Sequence, residues 1–351
     1  MKKEYDDQLT PDVREKMNKN LVYVGIFSVI MVFAGLTSAY YVSMGDTFWV
    51  KFDFPPAFYI STAFLVISSI VLQLGISMGR KGNATAPKIL VPLTFLLGIG
   101  FCIFQWKGYG QLVERGAYAT GKILVTQGRY GDFYQLKIDG KYMEVNANDY
   151  YLAGKPMNPA QKKDVSAFAQ QFVHIDSAIP KTLKDYGKKY IFLYKNEEVR
   201  FENGKLIAGD STELLYTDLH RLKDLAITLR DGRGDFFLKG KMGKDFHIYY
   251  KGKELQYANR SLQYNGTKLS APLQLKMNSA ADTATSYLYI ITALHFLHIL
   301  ATMIYMLRMS IHSFTGALER NDYLKVRMGA IFWHFLGLLW IYLLLFLLFI
   351  H

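Results

Sequence analysis

The chain has 351 residues, 51% of them apolar, with a formal net charge of +12 and a mean hydropathy of +0.07. A pure membrane bundle would be more apolar overall, and a soluble enzyme would not gather its hydrophobicity into runs of lipid length, so both are excluded in favour of a hybrid. The single cysteine, Cys102, rules out a disulfide framework.

Residues 1–20 mix acids and bases and read as a cytoplasmic tail. Five apolar runs follow, at Leu21 to Met44, Pro55 to Met78, Ile89 to Trp106, Thr285 to Leu307 and Gly329 to Ile350. At about 1.5 Å per helical residue each can cross a hydrocarbon core of roughly 30 Å. The first run is longer than a signal-peptide core and lacks a small-residue cleavage site, which predicts a retained helix. Residues 21–116 are thus expected to hold transmembrane helices 1–3, the third continuing through Gln111 and Glu114 until Gly116 stops it. Residues 282–351 are expected to hold helices 4 and 5.

Basic residues in short loops mark the cytoplasmic side. Lys2, Lys3, Arg14, Lys16 and Lys19 precede the first run. Arg80, Lys81 and Lys88 follow the second, and Arg308, Arg320, Lys325 and Arg327 separate the last two. This predicts a cytoplasmic N-terminus, with the polar interval and the C-terminus in the periplasm. Trp49, Phe52 and Phe54 before the second run, and Trp106 and Tyr109 after the third, suit an interfacial aromatic belt.

The interval 117–281 reads as a β-rich domain. Alternating segments flank Asp139-Gly140, Asn203-Gly204 and Asn265-Gly266, the residue pairs of two-residue hairpin turns. A helix is expected from Ser211 to Leu229, with Ser211, Thr212 and Glu213 as capping groups and Leu215, Leu219, Leu222 and Ala226 on one face. A shorter helix is expected near Pro159. The stretches LYKNEEVRFENGKLI and YYKGKELQYANRSLQYNGTKLS are loosely alike, which raises the idea of a duplicated sheet unit. The interval carries eight more basic than acidic residues. That excess fits either a solvated surface or a steering surface for an acidic partner. Nothing in it resembles a nucleic-acid module, so no nucleic-acid partner is expected.

The five runs contain no Asp or Glu, which argues against a pump or transporter acting alone. Phosphate-binding, Cys-x-x-Cys, His-Glu-x-x-His and nucleophile-elbow signatures are missing. The intramembrane histidines stand out instead. His295 and His298 are three apart and share a helix face, and His334 lies between Trp333 and Trp340. One reading is haem ligation by His298 and His334. The reading that weighs more is interhelical hydrogen bonding, which satisfies polar groups where water is missing.

The same segments resemble subunit III of the haem-copper oxidases in its short five-helix form. FAGLTSAYY is similar to a family segment ending in Ser-Ala-Tyr, with Tyr40 at the tyrosine. In ISTAFLVISSIVLQLG, Thr62, Ser68 and Ser69 match, and Ser61 stands where Asn is usual. In LGIGFCIFQWKGY, Gln105 and Tyr109 fit Gln-x-x-Glu-Tyr. TALHFLHIL resembles Thr-Gly-x-His-x-x-His at Thr292, His295 and His298, and FWHFLGLLW resembles Trp-His-Phe-x-Asp-x-x-Trp at Trp333, His334, Phe335 and Trp340. The likeness covers about half the chain, in the family's order, and leaves the insert outside. Three family carboxylates are replaced, at Val29, Gly108 and Gly337.

Together with the hairpin pattern of the insert, the resemblance implies an all-α membrane bundle of five transmembrane helices with an inserted β-rich (α+β) soluble domain. It implies a non-catalytic subunit that binds no cofactor or metal itself and packs against oxidase subunits I and II, which carry the haem and copper. It further implies structural phospholipid in a helix cleft and support of oxygen access and enzyme stability. Tyr40, Thr62, Ser68, Ser69, Gln105, Tyr109, Thr292, His295, His298, Trp333, His334 and Trp340 become the expected packing or lipid-contact residues. The insert is expected to dock a cytochrome c domain or a quinol-oxidising complex. A homologous subunit of a quinol oxidase or of a nitric oxide reductase is the alternative within the family. A proton-related role does not carry over, because Val29 replaces the carboxylate invoked for it.

Overall fold

The computed structural model describes residues 11–350 apart from 84, 210–211 and 315–319. Lys2, Lys3 and Ser211 lie outside the described residues, as do the side chains of Arg14, Arg320 and Lys325. In chain order come α1 (Pro11–Asp46), β1 (Phe48–Phe52), α2 (Pro56–Arg80) and α3 (Thr85–Glu114). Then follow β2 (Tyr134–Ile138), β3 (Lys141–Asn146), β4 (Asp149–Leu152), β5 (Lys155–Pro156), α4 (Pro159–Ala169), β6 (Tyr190–Tyr194), β7 (Glu197–Glu202), β8 (Lys205–Ala208), β9 (Thr212–Glu213) and α5 (Tyr216–Arg230). The chain closes with β10 (Phe246–Tyr250), β11 (Lys253–Glu254), β12 (Gln256–Ala258), β13 (Ser261–Tyr264), β14 (Thr267–Lys268), α6 (Ala271–Ser279), α7 (Thr283–Phe314) and α8 (Arg320–Phe349).

Two compact units result. The first holds the chain up to Ser43, Phe54–Val113 and everything from Ala284. Its helices are long and apolar enough to cross a membrane at Glu15–Asp46, Pro56–Arg80, Thr85–Glu114, Thr283–Ser313 and Val326–Phe349. The shortest of these, at 24 residues, is about 36 Å long. α2 starts with proline at its first turn, where the missing N–H has no partner to lose. α3 ends as expected: Gly116 has φ +81°, and a Cβ there would collide with the Phe237 carbonyl oxygen.

The second unit consists of Met44–Asp53 and Glu114–Thr283. It is built on a meander that recurs every 56 residues. Gly131, Gly187 and Gly243, at φ +87°, +77° and +83°, open the three copies. Each glycine donates its N–H to the first strand's Tyr134, Tyr190 or Phe246 carbonyl, at 2.9, 2.9 and 2.8 Å. The first turn falls at Asp139-Gly140, Lys195-Asn196 and Lys251-Gly252, with positive φ at all six residues. Further turns at Asn203-Gly204 and Asn265-Gly266 close the hairpins that the sequence announces. The helices α4, α5 and α6 follow the three meanders. The similarity between the stretches beginning at Leu193 and Tyr249 is therefore a true structural repeat, and residues 131–186 are a further copy.

β2 and β6, the first strands of copies one and two, pair antiparallel with Tyr134 opposite Tyr194 and Ile138 opposite Tyr190. The pairing maps each strand onto the other and gives a continuous sheet of order β5-β4-β3-β2-β6-β7-β8-β9. The first strand of copy three, β10, pairs in the equivalent register with β1, Phe48 opposite Tyr250 and Phe52 opposite Phe246. The loop between the first two long helices thus supplies the strand that a fourth copy would have contributed.

This corrects two expectations. Residues 44–53, expected as a loop within the 21–116 segment of helices 1–3, belong with the sheet unit. Trp49 has zero exposure, so its indole is part of a packed core and not of a headgroup belt. Tyr109 is half-buried, its ring stacked on Tyr289. α5 also begins later than local capping signals suggest. Thr212 and Glu213 pair with β8, and the helix starts at Tyr216 with no side-chain cap. Strand pairing outcompetes the cap, and Leu215 is left 69% exposed while Leu219, Leu222 and Ala226 are buried. α4 does carry a capping box, Asn158 and Gln161 exchanging side-chain bonds with each other's N–H at 2.8 and 2.9 Å.

Replacing the buried Trp49 by Ala is expected to cost the second unit roughly 3–5 kcal/mol. The measurement is amide hydrogen exchange, which should accelerate at Phe246–Tyr250 and leave β2 and β6 protected.

Candidate functional site

Inside the helical unit the side chains singled out from sequence converge on a ladder of hydrogen bonds. The rung between α2 and α8 is doubled: Trp340 Nε1 donates to Thr62 Oγ1 at 2.8 Å, and Trp333 Nε1 to Ser68 Oγ at 3.0 Å. Each hydroxyl spends its own hydrogen on its helix, Thr62 on the Phe58 carbonyl and Ser68 on that of Leu65, both at 2.7 Å. A hydroxyl has one donor and two acceptor sites, so it can cap its own turn and still receive an indole. The order Thr62 to Trp340 and Ser68 to Trp333 shows that α2 and α8 run antiparallel.

Between α2 and α3, Ser61 donates to Gln105 Oε1 at 3.2 Å. Between α7 and α8, His295 Nε2 bonds the Leu336 carbonyl at 3.0 Å. A carbonyl only accepts, so Nε2 carries the proton, and the buried Nδ1 has no partner among the described residues. The imidazole stacks on Trp340 at 5.0 Å and meets Phe33 and Phe101 edge-on. Thr292 satisfies its hydroxyl on the Leu288 carbonyl at 2.7 Å. Tyr40 packs edge-on against Tyr287 and Phe346.

Two expected residues stand apart. His298 donates Nδ1–H to its own helix at Leu294, 2.7 Å away, and turns its ring to Phe33 on α1. His334 lines a surface notch with Ser69 on α2. These histidines therefore turn toward different helices.

Val29, Gly108 and Gly337, the positions where the resemblance leads one to expect carboxylates, sit in different surroundings. A Cβ at Gly108 would come within 2.7 Å of the Phe58 ring, so the Phe58 side chain fills that space. A Cβ at Gly337 would sit 3.3 Å from Ser69 Oγ. Val29 is partly buried on α1. Sequence reading missed Phe33, Phe58, Phe101 and Gly98, which form the apolar walls of the ladder. A Cβ at Gly98 would strike Met303 and crowd Trp333. Their signal, bulky rings facing small residues across helices, is invisible without the pairing.

A charged centre in the second unit is built on Asp235. Val125 N–H donates to the Asp235 carbonyl, and Asp235 N–H to that of Ala147, which ties the residue to copy one and to the segment before it. Its carboxylate, 2% exposed, receives Arg129 Nε at 2.8 Å, Arg260 Nη2 at 2.5 Å and the Tyr257 hydroxyl. Burial would raise the Asp235 pKa, but the bonds from Arg260, Tyr257 and Arg129 outweigh it and hold the group below the ordinary range. Arg129 precedes copy one, Asp235 closes copy two and Arg260 is in a turn of copy three, so the cluster clasps the repeats together.

Comparison with protein-family models, with curated proteins and with solved structures gives no match to this chain.

Two outcomes are expected. A double-mutant cycle of Ser68→Ala and Trp333→Phe should show a coupling of roughly 0.6–1.7 kcal/mol in detergent unfolding. Asp235→Asn should cost roughly 3 kcal/mol, the low end for breaking a buried pair whose arginines reach solvent. A depressed folded-state pKa stabilises above the unfolded value near 3.9, and that stabilisation is lost as pH falls through the folded pKa. Hydrogen exchange at Gln256–Tyr264, followed from pH 6 down to pH 3, should therefore lose its acid-sensitive component in the variant.

Proposed function

We propose that the chain is the accessory subunit III of a bacterial aa-type cytochrome c oxidase. It packs against catalytic subunit I, holds phospholipid against its helices and supports oxygen access and enzyme lifetime. The observation that carries this reading is the ladder. Thr62, Ser68, His295, Trp333 and Trp340 are matched on short motifs up to 278 residues apart, and they meet in one set of contacts between α2, α7 and α8. The bonds join donors and acceptors to one another, which is adhesive chemistry. The proton on His295 is committed to a backbone carbonyl. A scaffold needs this rigidity.

In this reading the chain lies in the inner membrane with its N-terminus in the cytoplasm. The sheet unit is in the periplasm, on the side where electrons enter an oxidase, and its basic excess meets a neighbouring cytochrome c domain or quinol-oxidising complex. Haem and copper reside in subunits I and II.

Affinity purification through a tag on this chain, in mild detergent, should recover haem-containing subunits and oxygen consumption, and the chain separated from them should be colourless. Recovery without any oxygen-consuming partner, or a haem spectrum from the isolated chain, would overturn the assignment. Deleting residues 117–281, with 48–52 replaced by Gly and Ser so that no strand is orphaned, should loosen the periplasmic partner and leave the haem spectrum intact.

A further inference from the structure

Apart from the buried Nδ1 of His295, the polar side chains of the ladder find partners within the bundle among the described residues, and a separate gap lies at its surface. On the outer side of α2 and α8 a notch of about 400 Å³ is lined by Ser69, Ile70, Gln73, Leu74 and His334. Ser69 and Gln73 are one turn apart and share a face. Unlike Ser61, Thr62 and Ser68, Ser69 makes no bond to its own helix, and Gln73 is exposed with no hydrogen bond to any described residue. The buried Nε2 of His334 has no partner either. α8 cannot repair this from within, because the residue facing Ser69 is Gly337.

Depth decides what can complete the site. Gln73 lies seven residues and Ser69 eleven residues before Arg80, the end of α2, or about 10 and 16 Å along the axis. The 25-residue helix is about 37 Å long, so it overhangs a hydrocarbon core of roughly 30 Å by only about 4 Å at each end. Ser69 is then well inside the apolar zone, beyond phospholipid headgroups, and acyl chains offer no hydrogen bond. A hydroxyl left unpaired at that depth is costly, and so is the Gln73 carboxamide, which lies about 6 Å inside the boundary. The notch presents donors and acceptors together, the Ser69 hydroxyl and the Gln73 carboxamide, with the His334 ring beside them. A lysine or arginine would bring a charge that nothing in the notch neutralises. A carboxamide or protonated carboxyl reciprocates both kinds of bond.

We propose that the Ser69–Gln73–His334 notch is the docking site for a transmembrane helix of a partner chain that inserts a carboxyl or carboxamide side chain. The inference rests on the chain being one subunit of a membrane assembly, but not on that assembly being an oxidase.

The test places the photoreactive residue p-benzoylphenylalanine at position 70 on the notch rim, with a control at exposed position 304 on α7, in native membranes of the producing cell. Irradiation at position 70 should yield an adduct with a different polypeptide, within an apolar segment that contains Asp, Glu, Asn or Gln. The yield should fall at least about fivefold in Gln73→Leu and further when Ser69→Ala and His334→Leu are added, the change expected for losing interhelical bonds of about 1 kcal/mol each. Tryptophan fluorescence from the adjoining ladder reports that the variants remain folded. Adducts with lipid alone, with a second copy of this chain or with a segment lacking such a side chain would overturn the proposal. So would an unchanged yield in folded variants. Oxidase co-purification without a notch adduct would refute this inference alone, whereas an adduct with a partner of another kind would refute the oxidase reading and sustain this one.

Discussion

A polar group inside an apolar bundle must find its partner within reach, and that requirement organises the helical unit. Indole, hydroxyl and imidazole each carry few bonding sites, so one correct pairing nearly fixes the register of the two helices involved. Trp340 on Thr62 and Trp333 on Ser68 lie about two turns apart on their helices, and together they set both the direction and the axial offset of α2 against α8. His295 then fixes α7 through a backbone carbonyl, whose position varies less than any side chain's. Apolar rings fill what remains. Since lipid tails compete equally well for apolar surface, these directional bonds and the close approach at Gly98 and Gly108 provide specificity that hydrophobicity alone does not.

The sheet unit follows a different rule: no buried backbone strand is left without a neighbour. Copies one and two satisfy each other by pairing β2 with β6. Copy three has no such twin, and its β10 would present an unpaired edge. The chain meets this with β1, whose Phe48, Trp49 and Val50 are all buried. A three-copy array closed by a borrowed strand explains why a ten-residue loop between two long helices carries so much aromatic mass. Asp235 complements this by bonding arginines before copy one and within copy three.

Much of this was legible in the sequence, and the rest was hidden for identifiable reasons. Long apolar runs have a strong signal because crossing lipid demands length and forbids charge, so all five helices were readable. Turns at Asp139-Gly140, Asn203-Gly204 and Asn265-Gly266 were readable because left-handed backbone selects those residues. Lys195-Asn196 and Asn259-Arg260 adopt the same dihedrals with less telling side chains, which concealed the 56-residue period. β1 was misread because an aromatic cluster beside an apolar run fits either a membrane interface or a strand, and only the pairing with β10 separates them. The start of α5 was misread because capping residues are a local signal and β9 is a non-local one. At the candidate site, the sequence singles out Thr62, Ser68, His295, Trp333 and Trp340 through short motifs, and the structure adds the bonds that join them. Which partner each takes depends on helix order, which one sequence does not contain.

The order of the chain also bears on how the two units form. The strand that completes copy three is made before any of the copies, because β1 precedes α2 and the whole insert in the sequence. Chains emerge N-terminus first, at rates slower than hairpin formation. Copies one and two can close on each other as soon as β6 emerges, with pairings over about 56 residues. Copy three must find a strand roughly 200 residues upstream, and closing that loop costs only slightly more entropy, since the cost grows with the logarithm of length. What makes the long closure dependable is that β1 is tethered directly to α1 and α2 and so cannot wander. A strand held at both ends by helices that form early narrows the search that the sequence separation would otherwise impose.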